Sequence, residues 1–281
     1  DRQPTVTILE PSADTSVLAS AVLPVAAQAS DDVGIRSLVI EAEHPWRATV
    51  QDAVDETQPT QRMALVDRVD RSAQLNAEAT LDLGTLPLRV GDVGTLHASA
   101  QDVFELNGFV HDPAVATPRR LNIIDANTLI EQVRADLAGV RQQAQRLERQ
   151  QEQLRKRLAE DDPNQLQAEQ ARVTRAVESQ RLQLSRVQDR LRLNRLSDET
   201  LDELIRQADA LAERAEDASE QAEQDLQEAV GSGNENESEE ASTNEQARAD
   251  AGEQQEQARE SLEDLAKLLD QGRDALGLKL E

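Results

Sequence analysis

Up to Asp125 the chain alternates apolar and polar residues in short runs broken by Pro, Gly and Asp, the period-two pattern of half-buried strands. Leu23, Val25, Ala27 and Ala29 share one strand face, and Leu38, Ile40 and Ala42 share another. Between them Asp31-Asp32-Val33-Gly34 predicts a turn that closes the two runs into a hairpin, with Gly34 free to take positive φ. Ala79, Leu81 and Leu83 repeat the alternation, Gly91-Asp92 turns the chain, and Leu96, Ala98 and Ala100 follow on one face. Val6 with Ile8 supplies the first strand, and Leu121 with Ile123 the last. About seven strands punctuated in this way predict two antiparallel sheets packed as a sandwich.

Beyond Asp125 a seven-residue period replaces the alternation. Ile130, Val133, Leu137, Val140, Ala144, Leu147, Gln151, Leu154 and Leu158 succeed one another at spacings of three and four, the mark of a coiled-coil seam. Thr128 to Glu131 offers a capping box, and Asp161-Asp162-Pro163 ends this helix and starts the next. A second seam runs through Leu166, Gln170, Val173, Val177, Gln180, Leu184, Val187, Leu191 and Asn194. A third helix starting at Ser197 carries Leu201, Leu204, Ala208, Leu211, Ala215, Ala218 and Ala222, small residues that permit close backbone approach. A fourth begins at the capping box Ser242 to Glu245 and carries Ala251, Gln255, Ala258, Leu262, Leu265, Leu269 and Leu276.

The expected architecture is therefore an α+β multidomain chain with a sandwich over 1–125 and long antiparallel coiled-coil helices near 128–160, 163–195 and 198–230. A flexible acidic linker follows over 231–243, and a C-terminal helix over 244–281 packs on the bundle. The amides in the seams read as register-setting residues.

Charge sharpens this picture. The 281 residues carry a formal net charge of -25, which gives non-specific nucleic-acid binding no electrostatic support. Residues 126–196 hold 14 basic and 10 acidic side chains, whereas 197–281 hold 7 and 26. The two helical halves attract, so Arg141, Arg155 and Arg186 of the first pair are expected near carboxylates of the second. The alternative leaves the basic flank open to another acidic partner. There is no cysteine, hence no disulfide and no thiolate metal site, and no apolar run approaches a membrane span. The start at Asp1 suggests a processed or trimmed product of a longer parent.

Three segments carry a family resemblance: P-T-V-T-I-L-E-P at Pro4 to Pro11, A-A-Q-A-S-D-D-V-G-I at Ala26 to Ile35, and L-H-A-S-A-Q-D-V-F-E-L-N-G at Leu96 to Gly108. Together they resemble a bacterial immunoglobulin-like domain over about residues 3–125. With the Gln- and Glu-rich run from Ala251 to Leu269, the chain is similar to ectodomains of bacterial membrane-anchored envelope proteins. The resemblance implies a periplasmic or extracellular place and a role in assembly, and it implies no reaction.

Candidate chemistry is sparse. No nucleotide, hydrolase or zinc-helix motif occurs, and no cofactor is expected. The histidines are His44, His97 and His111, with His97 on the outward face of its strand and read as solvated. Asp31, Asp32 and Asp102 gather at one end of the expected sandwich, where carboxylates can ligate calcium; the commoner role of such residues is to cap turns. Trp46 and Phe104 read as packing residues rather than as a sugar platform. The leading expectation is a noncatalytic structural or protein–protein interaction module that binds protein partners or a second copy through its seams. The alternative is an adhesive or ligand-binding protein that uses the sandwich loops, assisted by calcium.

Overall fold

The computed structural model describes residues 2–45, 60–69, 72–106, 109–196, 198–231 and 237–277. The chain divides into two compact units, Asp1–Ile130 with Leu193–Arg195, and Glu131–Arg192 with Leu196–Glu281.

Among the described residues the first unit holds nine strands: β1 (Thr5–Glu10), β2 (Thr15–Val17), β3 (Val22–Ser30), β4 (Ile35–Pro45), β5 (Thr60–Val69), β6 (Gln74–Asp82), β7 (Val93–Asp102), β8 (Ala114–Val115) and β9 (Arg119–Ile123). One sheet runs β1-β3-β6; the other runs β2-β9-β7-β4-β5, with β8 beside β7. The inward faces of β3 and β4 share one apolar core with Leu96, Ala98 and Ala100 of β7. Two expectations are corrected. The immunoglobulin-like sandwich was expected to be antiparallel, yet β2 pairs in parallel with β9, so the larger sheet is mixed. The chain leaves one sheet at Glu10 and joins the other at Thr15, and the Asp14 carboxylate accepts the Arg120 amide at 2.8 Å beside the new pairing.

The second correction concerns the hairpin: β3 and β4 lie in different sheets. Alternation shows which face of a strand is buried and leaves its partner open. The Asp31–Gly34 segment is a corner between sheets, with Asp31 Oδ2 accepting from the amides of Val33 (3.0 Å) and Gly34 (2.8 Å). Gly34 has φ 146°, which a Cβ would disfavour.

The helices are α1 (Ala126–Arg157), α2 (Pro163–Leu193), α3 (Glu199–Gly231) and α4 (Glu237–Gly277). Asp125 caps α1 by accepting from Thr128 N at 2.8 Å, which displaces the capping role read at Thr128. Asp162 accepts from Asn164 N at 2.9 Å ahead of α2, and Asp198 accepts from Thr200 N at 2.9 Å ahead of α3. α4 begins inside the stretch read as a linker, so Ser242 to Glu245 lies within the helix instead of at its start.

A long coiled coil is not what these helices form. They are joined and packed about one shared core that draws residues from all four. Buried positions come in adjacent pairs, such as Val173 with Thr174, Leu204 with Ile205, and Leu265 with Ala266. That stripe is wider than a two-position seam and faces more than one neighbour. At the start of α1 the buried residue is Leu129, with Ile130 half-buried. Val133, Leu137, Val140, Leu147, Leu154 and Leu158 are buried, as are Val173, Val177, Leu184, Val187 and Leu191 of α2 and Leu262, Leu265 and Leu269 of α4.

Neighbouring helices run in opposite directions. Gln143 Nε2 donates to Ala176 O at 3.1 Å and Arg190 pairs with Asp136 at 2.6 Å between α1 and α2. Arg157 pairs with Glu169 at 2.6 Å, and this bond holds the Glu169 carboxyl below its ordinary value of 4.5. α3 and α4 bring their backbones closest together, with alanines such as Ala208, Ala215, Ala251 and Ala258 buried along them. A Cβ on Gly272 of α4 would overlap the Leu204 side chain of α3, with Cδ1 only 2.7 Å away. Arg141 pairs with Asp270 and Arg155 with Glu256 (3.2 Å), linking α1 to α4. Arg181 links α2 to α3 through Glu213 (2.8 Å) and Glu216 (2.9 Å). Arg186 makes no ion pair among the described residues.

One buried polar layer crosses the apolar core. Gln151 Nε2 donates to Ser219 Oγ (3.1 Å), Gln170 Nε2 to Ser219 O (3.3 Å), Thr174 Oγ1 to Ser219 O (3.2 Å), and Gln255 Nε2 to Gln170 Oε1 (3.1 Å). Each helix contributes to it. Gln180 instead donates to Val140 O at 3.0 Å, and Asn194 Oδ1 accepts from Leu18 N at 2.6 Å within the first unit.

α2 ends with Leu196 N donating to Leu191 O at 3.1 Å around Arg195, whose φ is 52°. Left-handed backbone costs a side-chain-bearing residue about 1 kcal/mol, and glycine escapes it. The half-exposed Arg195–Asp82 pair at 3.0 Å offsets less than that. Arg195→Gly is expected to raise stability by about 0.5 kcal/mol, read as a higher urea midpoint at unchanged slope.

Candidate functional site

The strand unit presents its most distinctive side chains where β7 ends. Asp102 closes β7 and is 0% exposed, although it is a carboxylate. A buried charge persists only when it is paired and hydrogen-bonded. Its Oδ2 lies 2.5 Å from His111 Nδ1, and its Oδ1 accepts from Phe104 N at 3.3 Å. Gln101 Nε2 donates to His111 O at 2.6 Å, tying the returning chain to β7 a second time. Phe104 stacks on the His111 ring at 4.5 Å and 12°, while Phe109 meets that ring edge-on at 5.9 Å and 86°.

This support holds a small apolar tip. Leu106 and Phe109 exchange backbone hydrogen bonds, Leu106 N to Phe109 O (3.0 Å) and Phe109 N to Leu106 O (2.9 Å). Their side chains point to solvent, Leu106 at 60% exposure and Phe109 at 63%, with Val110 at 44% beside them. The Asp31–Gly34 corner adjoins through Val103 N to Gly34 O (2.9 Å) and adds Val33 at 54%. Carboxylates rim the tip: Asp32, Glu105 and Asp112 are exposed, and Arg36 lies 3.9 Å from Glu105. Scattered apolar residues are ordinary on surfaces, whereas a contiguous group on a braced loop marks an interaction site.

The candidate calcium ligands Asp31, Asp32 and Asp102 lie at this end, but their carboxylates do not converge. Asp31 serves its own turn, Asp102 is turned inward to His111, and Asp32 is exposed. Among the described residues no group of three or more His, Asp or Glu could hold a metal ion. Phe104 packs against His111, and Trp46 lies outside the described residues. His97 is half-buried with Nε2 3.3 Å from Glu43, which corrects its reading as solvated, and His44 is buried. The Asp102–His111 pair escaped the sequence reading. Its available signal was a strand-ending Asp nine residues before a His, with both phenylalanines of the chain between them.

No protein-family model and no curated protein matches this chain. Among solved structures, one described as "pT26-6p" aligns over 96% of this chain at 11% identity with a TM-score of 0.27. The chain spans 49% of that structure's length. Among the described residues no helix is long and apolar enough to cross a membrane.

Proposed function

We propose that this chain is a noncatalytic protein–protein interaction module whose strand unit docks a partner through the Phe109 tip. The observation that supports this most is an exposed phenylalanine packed against a histidine that is itself paired with the fully buried Asp102. Rigid aromatic anchors surrounded by partly exposed apolar neighbours are the usual centres of binding energy. Both Asp102 oxygens are engaged within their own loop, whereas a general base needs reach to a substrate proton. The acidic rim favours a partner that presents apolar side chains flanked by lysine or arginine. The same proposal places the module in a bacterial envelope assembly, a placement supported by the sequence resemblance alone.

Selection of displayed peptides on the intact chain tests this. Enriched sequences are expected to join apolar residues to basic flanks, and Phe109→Ser is expected to weaken their binding about tenfold while thermal unfolding shows the strand unit still folded. Enrichment of sequences that bind the Phe109→Ser protein equally well would sink the proposal, as would selection that yields no binder.

A further inference from the structure

The outer face of α2 carries Arg172, Arg175, Ser179, Leu182 and Arg186 at alternating spacings of three and four, all of them exposed. Arg175 and Arg186 form no ion pair among the described residues, and Arg172 acts only through the field it exerts on Glu169. A solvated helix face ordinarily mixes both signs and pairs them along the helix. Between Arg172 and Arg186 this stripe leaves its arginines unpaired, although exposed Glu178 lies beside it and Asp189, paired with Arg192 at 3.0 Å, ends it; Leu182 stands 53% exposed among the arginines.

α4 carries the complementary face. Asp250, Glu253, Gln257, Glu260 and Asp264 recur at the same spacings of three and four, all exposed except the half-buried Asp250. Glu253 and Glu260 have no ion pair among the described residues; Asp250 accepts from Gln246 at 2.8 Å, and Asp264 lies 3.5 Å from Lys267. The stripes match in either direction. Laid antiparallel, Arg172 meets Asp264, Arg175 meets Glu260, and Arg186 meets Asp250, with Ser179 opposite Gln257. The methylenes of Glu253 then cover Leu182.

The two stripes cannot meet within one molecule. α1 and α3 each bond to both α2 and α4, through Arg157–Glu169, Arg155–Glu256, Arg181–Glu216 and the Asn244–Ala229 contact. α2 and α4 therefore stand at opposite corners of the helical unit and, among the described residues, bond to each other across its centre through Gln255 and Gln170 at 3.1 Å. Their outer faces point in opposite directions.

We infer that the arginine stripe of α2 docks on the carboxylate stripe of α4 in a second copy of this chain. The contact is heterologous, since each copy offers one face of each sign, so it propagates into rings or open arrays instead of closing as a two-fold dimer. Exposed ion pairs are individually weak, and the array is accordingly reversible and concentration-dependent.

Sedimentation velocity of the intact chain over a concentration series tests this. At about 0.1 M salt the Debye length is about 10 Å, which leaves contact pairs in force while damping repulsion between bodies of like net charge. The weight-average sedimentation coefficient is expected to rise with concentration there and to return to the monomer value at about 1 M salt. R172E/R175E/R186E and D250R/E260R/D264R are each expected to stay monomeric, with helical content unchanged because every altered side chain lies on the outer faces. An equimolar mixture of the two is expected to associate again, since it restores opposite charges across the contact. A wild-type chain that stays monomeric throughout overturns the inference. So does association that survives the arginine reversal, or a mixture that stays monomeric. The inference stands apart from the Phe109 tip: Phe109→Ser leaves the array intact.

Discussion

Replacing Asp102 with alanine is expected to lower the stability of the strand unit by about 3 kcal/mol. The carboxylate is fully buried, so its removal strands the groups that depend on it instead of handing them to water. His111 Nδ1 loses an acceptor at 2.5 Å and Phe104 N one at 3.3 Å, both part-buried. The penalty for an unpaired buried donor is about 1–3 kcal/mol, more when the lost partner was charged. Asp102→Asn keeps the shape and one acceptor oxygen, and about 1 kcal/mol of loss is expected for it. Calorimetric unfolding of the two variants separates a charged anchor from mere packing. Equal losses would mean that Asp102 acts by volume alone. The effect extends to the tip, because Phe104, His111 and Phe109 hold one another by ring contacts that rest on this carboxylate. Peptides that bind through Phe109 are expected to lose affinity for Asp102→Ala even at temperatures where it remains folded.

Some of this architecture could be read from residue spacing, and some could not, for identifiable reasons. Burial along α2 follows the three-and-four spacing from Leu166 to Leu191, because one face of a long helix must meet the core whatever lies opposite. The identity of what lies opposite is not in that spacing. Val173 and Thr174 are both buried, which reports several neighbours at once, and a single-seam reading passes over Thr174. The same gap explains the strands. β3 and β4 each show a clean inward face, and adjacency in sequence suggested a pairing that the two-sheet core replaces with β6 and β7 as partners. β2 has three residues, too few for any period, so its parallel pairing with β9 left no trace in the pattern. Caps were misplaced by three residues at α1 because Asp125 and Thr128 are both good capping residues and only backbone geometry chooses between them. The charge argument located Arg141 and Arg155 beside carboxylates of α4, yet it could not tell inward flank from outer face, and Arg186 lies on the latter. At the candidate site the obstacle was chemical ambiguity. An aspartate at a strand end looks like a turn residue until a histidine is seen against it.

The polar layer of the helical unit predicts opposite signs for single and collective substitution. Gln170→Leu alone is expected to cost about 2 kcal/mol, because Gln255 Nε2 then lacks its acceptor at 3.1 Å in a fully buried site. Ser219→Ala acts in the same direction by removing the Oγ to which Gln151 donates at 3.1 Å. Replacing the whole layer, with leucine at Gln151, Gln170 and Gln255, valine at Thr174 and alanine at Ser219, removes donors and acceptors together. The layer is already imperfect: Gln151 Oε1 and Gln255 Oε1 have no hydrogen-bond partner among the described residues. The fivefold variant is therefore expected to match or exceed the wild type in urea midpoint, as apolar replacement of buried polar clusters commonly does. What it should lose is alignment. A continuous apolar core accepts helices shifted by one turn, whereas the present bonds connect particular residues of all four helices and tolerate no such slip. Broadened methyl resonances and increased dye binding at undiminished helicity would report that loss. A fivefold variant as destabilised as the sum of its single substitutions would show instead that the layer contributes net stability, and that register is set by the surrounding leucines.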